Sequence, residues 1–154
     1  MNNSDSINRS YRMSDINRWQ SMDFVVGYTI HRSNNPSKDC DLCSILAGDY
    51  PKSFNWSGWH DKCKCYATAI LMDDETSKDQ EVSDLKAALR GTERIVFKPK
   101  NAIEHIPQAL IDWFLKNRAS LNSTNTFPDF VTNNMNLLMS GFQHYYNNKS
   151  PFIK

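Results

Sequence analysis

Residues 40–71 read CDLCSILAGDYPKSFNWSGWHDKCKCYATAIL, and this stretch decides the fold because it holds all four cysteines of the chain. The first fifteen residues are polar and lack the apolar segment of a signal peptide, so we expect a soluble protein kept in a reducing cytoplasm. In that compartment clustered cysteines are seldom disulfides and more often bind a metal or act as reactive thiols. The spacing therefore predicts one cluster, formed by Cys40, Cys43, Cys63 and Cys65.

His60 adds a fifth candidate ligand, since the pattern is C-x2-C followed by H-x2-C-x-C. A C-x2-C turn can direct two thiolates at one ion, and Cys63 and Cys65, two apart on a strand, project from one face. Tetrahedral zinc takes four ligands, so either the four cysteines close the site with His60 outside it, or His60 replaces one of them. We predict structural zinc, with ligands drawn from Cys40, Cys43, His60, Cys63 and Cys65.

Three other interpretations of these residues stay open. The cysteines could be buried thiols packed against the neighbouring tryptophans, because free cysteine behaves as a small hydrophobe. Cys40 and Cys43 could form a thioredoxin-like redox pair, although Asp39 and Asp41 oppose the lowered thiol pKa that such a pair needs. A nucleic-acid-binding zinc knuckle would use basic and aromatic residues, but the acidic residues of the segment cancel its lysines.

Residues 15–72 carry a longer ordered pattern. The stretch INRWQSMDFVVG is followed by the first cysteine pair, by Leu46-x-Gly48 and by a terminal block of Trp59-His60 and C-x-C. In this order and spacing the segment resembles the C-terminal signature of the Mu F-type minor head proteins of tailed phages, the head morphogenesis family. The chain has Asp61 where that family usually has proline, and Lys64 where it usually has arginine.

The resemblance implies a structural protein of the virion, assembled in the bacterial host cytoplasm and present in few copies near the portal. Such a protein acts in head morphogenesis, with a part in DNA packaging or ejection left open. Its partners would be other head proteins, portal and capsid among them. Family members carry a longer helical region before the signature, so we expect this chain to be a fragment or remnant, for example of a prophage.

Composition and charge bear on the remaining classes of partner. The chain has 18 Lys+Arg against 17 Asp+Glu, a net charge of +1, so no strong field draws it onto nucleic acid. No run of about 18 apolar residues occurs, and we expect no membrane partner. Of the three aromatic residues near the loop that begins at Pro51, we expect at least two to be buried on the chain's own strands and one to face a partner: Phe54, Trp56 and Trp59.

The periodicity predicts an α+β fold in which a small sheet with the Cys/His cluster is flanked by helices. Strands are expected at residues 24–30 and 64–71, paired beside the cluster, and a short strand at residues 94–97. The charged residues 73–80 are expected to be a linker. The predicted parts are a helical lead-in (1–26), the cluster core (27–73) and a C-terminal helical subdomain with one short strand (74–154).

No residue outside the cluster forms a specific catalytic set. His105 lies beside Glu104 near a helix start, where a polar pair is usually a cap, and His144 lies near a helix end, which favours cationic side chains. His31 is expected to be a polar residue at a strand end. Because four sulfurs favour a closed metal site, we expect no enzyme. The alternatives are a thiol- or zinc-dependent enzyme, or a toxin or nuclease domain such as some relatives carry at the C-terminus, with His105, Arg118 and Tyr145 as its candidate set.

Overall fold

The computed structural model describes residues 3–33, 40–124 and 126–147. The chain folds as predicted into an α+β arrangement in which a small sheet is flanked by helices. The elements in chain order are α1 (Asn3–Gln20), β1 (Val25–His31), α2 (Asp41–Ile45), β2 (Gly48–Pro51), β3 (Tyr66–Leu71), α3 (Asp74–Arg90), α4 (Gln108–Thr124), α5 (Asp129–Thr132) and α6 (Met135–Phe142), followed by a π-helical turn (Gln143–Asn147). Among the described residues, no helix has the length and apolar character to cross a membrane.

The sheet has the order β2-β1-β3, with both pairs antiparallel. The predicted pairing of the strands at residues 24–30 and 64–71 is confirmed, with Thr29 opposite Thr68. The sequence did not predict β2, because glycine, aspartate and proline are poor strand formers. At the centre of the sheet Gly27 is required, since a Cβ there would lie 2.7 Å from the carbonyl oxygen of Tyr50.

The core lies between the sheet, the loop 52–65 and helices α4 to α6. Phe54, Trp56 and Trp59 are all buried in it, so the expectation that one of them faces a partner is wrong. Trp59 packs on Tyr50 from β2 and meets the ring of Phe130 from α5 edge to face, at a centroid distance of 5.1 Å. The C-terminal helices therefore bury the aromatic side that an isolated cluster core would expose.

Two predictions for the segment after the sheet are wrong. Residues 73–80 are not a linker, because Asp73 caps the N-terminus of α3 by accepting a hydrogen bond from Thr76 N, and the first turns of the helix follow. Residues 94–97 form no strand. Their backbone groups bond instead to the Gln80 side chain, which donates to the Ile95 carbonyl and accepts from Phe97 N.

Contacts join the three predicted parts of the chain. Arg9 from α1 pairs with Asp61 beside the cluster and with Asp129 at the start of α5, at 3.1 and 2.9 Å. Buried Asn134 binds both backbone groups of Asn55, accepting from its N at 2.7 Å and donating to its O at 2.8 Å. These bonds fix the loop before the cluster against α1 and the C-terminal helices.

Candidate metal centre

The first cysteine pair lies at the N-terminus of α2, on the segment between β1 and β2. Cys40 caps the helix, and its sulfur accepts a hydrogen bond from Cys43 N at 3.4 Å. The second pair lies in the loop before β3, which begins at Tyr66, so the expected placement of Cys63 and Cys65 on a strand is wrong. Lys62 adopts φ 59°, a left-handed turn that directs the chain back towards the first pair.

The five candidate ligands form two groups that share Cys43. One group is Cys40, Cys43 and His60, the other is Cys43, Cys63 and Cys65, and the ligand atoms within each lie within 4.8 Å of one another. The sulfurs of Cys43 and Cys63 are 3.9 Å apart. Two thiolates on one tetrahedral zinc ion lie about 3.8 Å apart, since each Zn–S bond is about 2.3 Å. The cluster predicted from the spacing is therefore present, and it can hold a metal ion.

His60 is oriented as a metal ligand. Its Nδ1 lies 2.7 Å from the carbonyl oxygen of Asp61, and a carbonyl can only accept a hydrogen bond, so Nδ1 carries the proton. Nε2 points at the sulfurs of Cys40 and Cys43, at 3.2 and 3.1 Å, and is the ring nitrogen placed to bind a metal ion. A ring nitrogen fixed by a backbone carbonyl is the usual support of a metal-binding histidine.

Proton affinities within the cluster differ from one thiol to the next. A hydrogen bond from the Cys65 side chain, with backbone N–H groups, lowers the pKa of Cys63 to about 5 despite burial. Burial raises the pKa of Cys43 to about 12, and the hydrogen bond to Cys63 raises that of Cys65. Burial opposes ionisation of Cys40, but bonds from Cys43 and the nearby His60 lower its pKa overall. The protein thus stabilises thiolates at Cys40 and Cys63.

Helix α1 holds the second pair in place through residues that the sequence did not single out. Arg12 donates to the carbonyl oxygens of Ser57 at 3.0 Å and Cys63 at 2.6 Å, and its guanidinium lies 5.2 Å from the centre of the Trp56 ring. Buried Asp5 accepts a hydrogen bond from Lys62 N at 3.0 Å. No spacing signal could have found these residues, because each acts on a loop about fifty positions away.

A cavity of about 40 Å³ opens beside the cluster. Its walls include four of the candidate ligands, Cys40, Cys43, His60 and Cys65, while Cys63 does not line it. The other lining residues are Arg32, Ser33, Lys62 and Lys64. No described carboxylate lines the cavity. Its arginine and lysine side chains are positively charged and therefore complement a group of thiolates that carries net negative charge.

The other sequence candidates lie outside the cluster. His31 bonds to Thr68 through Nε2 at 2.7 Å and stacks on Tyr66, as expected of a strand-end residue. The carboxylate of Asp61 pairs with Arg9, and Asp39 lies outside the described residues. His105 and His144 stack with centroids 3.8 Å apart, and Tyr145 meets the His144 ring edge to face. Arg118 instead lines an apolar groove beside α4 and α6 in which neither histidine takes part, so the four residues do not line one pocket.

Comparison of the chain with models of known protein families, with curated proteins and with solved structures gave no match.

Proposed function

We propose that the chain is a structural, non-catalytic head component of a tailed phage or prophage, and that its cluster holds one structural zinc ion. The observation that carries the metal site is the convergence of two ligand groups on Cys43. The observation that carries the phage role is the ordered signature within residues 15–72, which resembles the Mu F-type head proteins.

We propose Cys40, Cys43, His60 and Cys65 as the zinc ligands, because these four line one cavity; Cys65 belongs to the second ligand group, so metal binding has to draw its sulfur towards Cys40 and His60. Sulfur and imidazole donors together favour zinc over the oxygen-preferring Mg²⁺ and Ca²⁺. Three thiolates around one Zn²⁺ leave a charge of −1, which the lining lysines offset. Cys63, fully buried and clamped through its carbonyl by Arg12, holds the loop and supports the site through the sulfur contact with Cys43.

The dimensions of the site support a structural role. A cavity of about 40 Å³ has room for little more than an ion or a water molecule, whereas sites for small-molecule substrates measure about 300–1,000 Å³. Four protein ligands leave no open coordination position for an activated water. When bound, the ion joins the segment between β1 and β2 to the loop before β3, so its binding free energy adds to that of folding.

The positions that make up the family signature each have a place in this arrangement. Leu46 is fully buried, and its carbonyl oxygen accepts a hydrogen bond from the Tyr50 hydroxyl. Gly48 begins β2 with φ 147°, a backbone angle that side chains disfavour. Trp59 fills the core while His60 faces the cysteines. The burial of Leu46 and Trp59 and the position of His60 against the cysteines agree with the resemblance.

Metal analysis of the full chain, purified under reducing conditions, tests the site. We expect one zinc per chain, retained in His-tag-free protein after dialysis against a weak chelator. Cys43→Ser should abolish binding and Cys65→Ser should lower it strongly, whereas Cys63→Ser should keep the metal. Ser53→Ala, at an exposed serine in the loop after β2, is the matched control and should bind normally. Protein free of metal, or a Cys43→Ser variant that binds as well as the parent, would refute the zinc proposal.

The phage role has a separate test that does not depend on the metal. Induction of the strain that encodes the chain, followed by purification of particles and mass spectrometry, should find the protein in heads at low copy number. Deletion should yield defective heads. Normal particles that lack the protein, formed while the protein is expressed, would refute the role in the head.

Thiol chemistry is the second candidate, and the exposure of Cys40 favours it. Cys40 is partly exposed, caps α2 and has a lowered pKa, which are properties of a reactive thiol. Reduction of a disulfide substrate by the metal-free protein, lost in Cys40→Ser and unaffected by Ser53→Ala, would favour this candidate. Turnover that needs added zinc would instead indicate a metal-dependent enzyme.

A further inference from the structure

Helix α3 exposes apolar side chains and buries polar ones, the reverse of an ordinary surface helix. Its apolar residues Val82, Leu85 and Leu89 are 52%, 62% and 78% exposed. Its buried residues are the polar Thr76 and Gln80. At 3.6 residues per turn the three apolar side chains form one stripe, and the buried polar pair lies about 180° around the helix from it. A surface helix normally places these two faces the other way round.

Polar bonds hold the inner face of α3 to the rest of the protein. Gln80 binds the backbone at Ile95 and Phe97, and Arg94 bridges Asp84 on the helix to Asp23 before β1. The segment that follows adds further exposed apolar side chains, with Ile95 63% and Val96 65% exposed. The polar face of the helix is therefore bonded to neighbouring segments while its apolar stripe faces outward, an arrangement typical of an interaction surface.

The distribution of charge along α3 indicates which protein covers its apolar stripe. The part before Leu85 is acidic, with one lysine, Lys78, among Asp74, Glu75, Asp79, Glu81 and Asp84, of which Glu75 and Asp84 pair with Lys100 and Arg94 of the same chain. The part from Leu85 onwards carries Lys86 and Arg90 and no acidic residue. An antiparallel copy of the same helix places each acidic part beside a basic part. A two-fold interface requires this self-complementarity, because each surface meets itself.

We propose that two copies of the chain pair through α3. The two helices run antiparallel about a two-fold axis that lies between them, level with the midpoint of Val82 and Leu85. This register packs Val82 of one copy on Leu85 of the other, twice. It also lays the aliphatic stem of Lys78 along Leu89 of the second copy. Asp79, exposed on the flank of the stripe, then faces Lys86 of the second copy. The proposal does not depend on the metal or on the phage role.

Sedimentation equilibrium of the full chain over a range of concentrations and salt tests the pairing. We expect a monomer–dimer equilibrium that weakens as salt rises, since the flanking charges are exposed. Leu85→Glu should weaken the dimer by about 100-fold or more, because each dimer loses two buried leucines and gains two buried charges. Ile7→Glu is the matched control, on an exposed apolar residue of α1, and should dimerise like the parent.

A charge exchange tests the orientation. Asp79→Lys should weaken the dimer, and the double variant with Asp79→Lys and Lys86→Asp should restore it. Circular dichroism confirms that each variant keeps the fold. A chain that stays monomeric at about 1 mM overturns the proposal, and the stripe would then be expected to bind a different protein. A dimer that survives Leu85→Glu also overturns it, because such a dimer forms through another surface. A double variant that stays weak overturns the antiparallel arrangement.

Discussion

Replacement of Arg12 gives the sharpest test of how the cluster is held. Its guanidinium donates two hydrogen bonds to backbone carbonyls of the loop 57–63 and stacks over Trp56. A hydrogen bond from a charged donor contributes about 1.5–3 kcal/mol, and a cation–π contact about 0.5–1 kcal/mol. Because Arg12 is only partly buried, values near the lower limits apply. We expect Arg12→Met to lower the free energy of unfolding by about 3 kcal/mol.

Urea unfolding of the metal-loaded chain, followed by tryptophan fluorescence, measures this loss. Arg18→Met is the matched control, because Arg18 is exposed on the same helix, and it should change stability by less than about 0.5 kcal/mol. Arg12→Lys should fall between the two, since an ammonium group lacks the fork that reaches both carbonyls. If Arg12→Met behaves like Arg18→Met, α1 does not hold the second cysteine pair.

Three further perturbations follow from the packing. Asn134→Leu should cost about 3 kcal/mol, measured by urea unfolding, since it leaves the N–H and C=O of Asn55 without their partner; an unchanged midpoint would contradict this. Gly141→Ala should lower the melting temperature, because a Cβ there lies 2.7 Å from Ile111, and Ile111→Val should restore part of the loss; a neutral single change would show that α4 and α6 pack less closely. Removal of the metal with a strong chelator should reduce the near-ultraviolet circular dichroism of the tryptophans next to the cluster, and readdition of zinc should restore it. A signal that does not change on addition of the chelator would count against a structural ion.

The local sequence pattern was sufficient to predict those helices and strands that neighbouring residues stabilise. Local richness in β-branched and aromatic residues predicted β1, the segment CKCYATAIL predicted β3, and Gly91 with φ 65° ends α3 where the helical periodicity stops. Local composition failed where a longer contact decides. The charged residues 73–80 resemble a linker, but they form a helix whose Gln80 side chain binds the backbone at Ile95 and Phe97. β2 contains three poor strand formers and exists because β1 offers it a free edge.

The same distinction between local and long-range causes applies to the candidate metal centre. The sequence by itself determined which side chains can ligate a metal, because the two short cysteine spacings and the neighbouring histidine are properties of the local chain. Only the tertiary structure decided which of those atoms meet, with Cys43 at the junction of both groups. It also brought Arg12 and Asp5 to the loop, buried all three aromatic residues, and turned the apolar stripe of α3 outward. The physical reason is that such contacts join residues far apart in the chain, and their free energy depends on packing that no local spacing records.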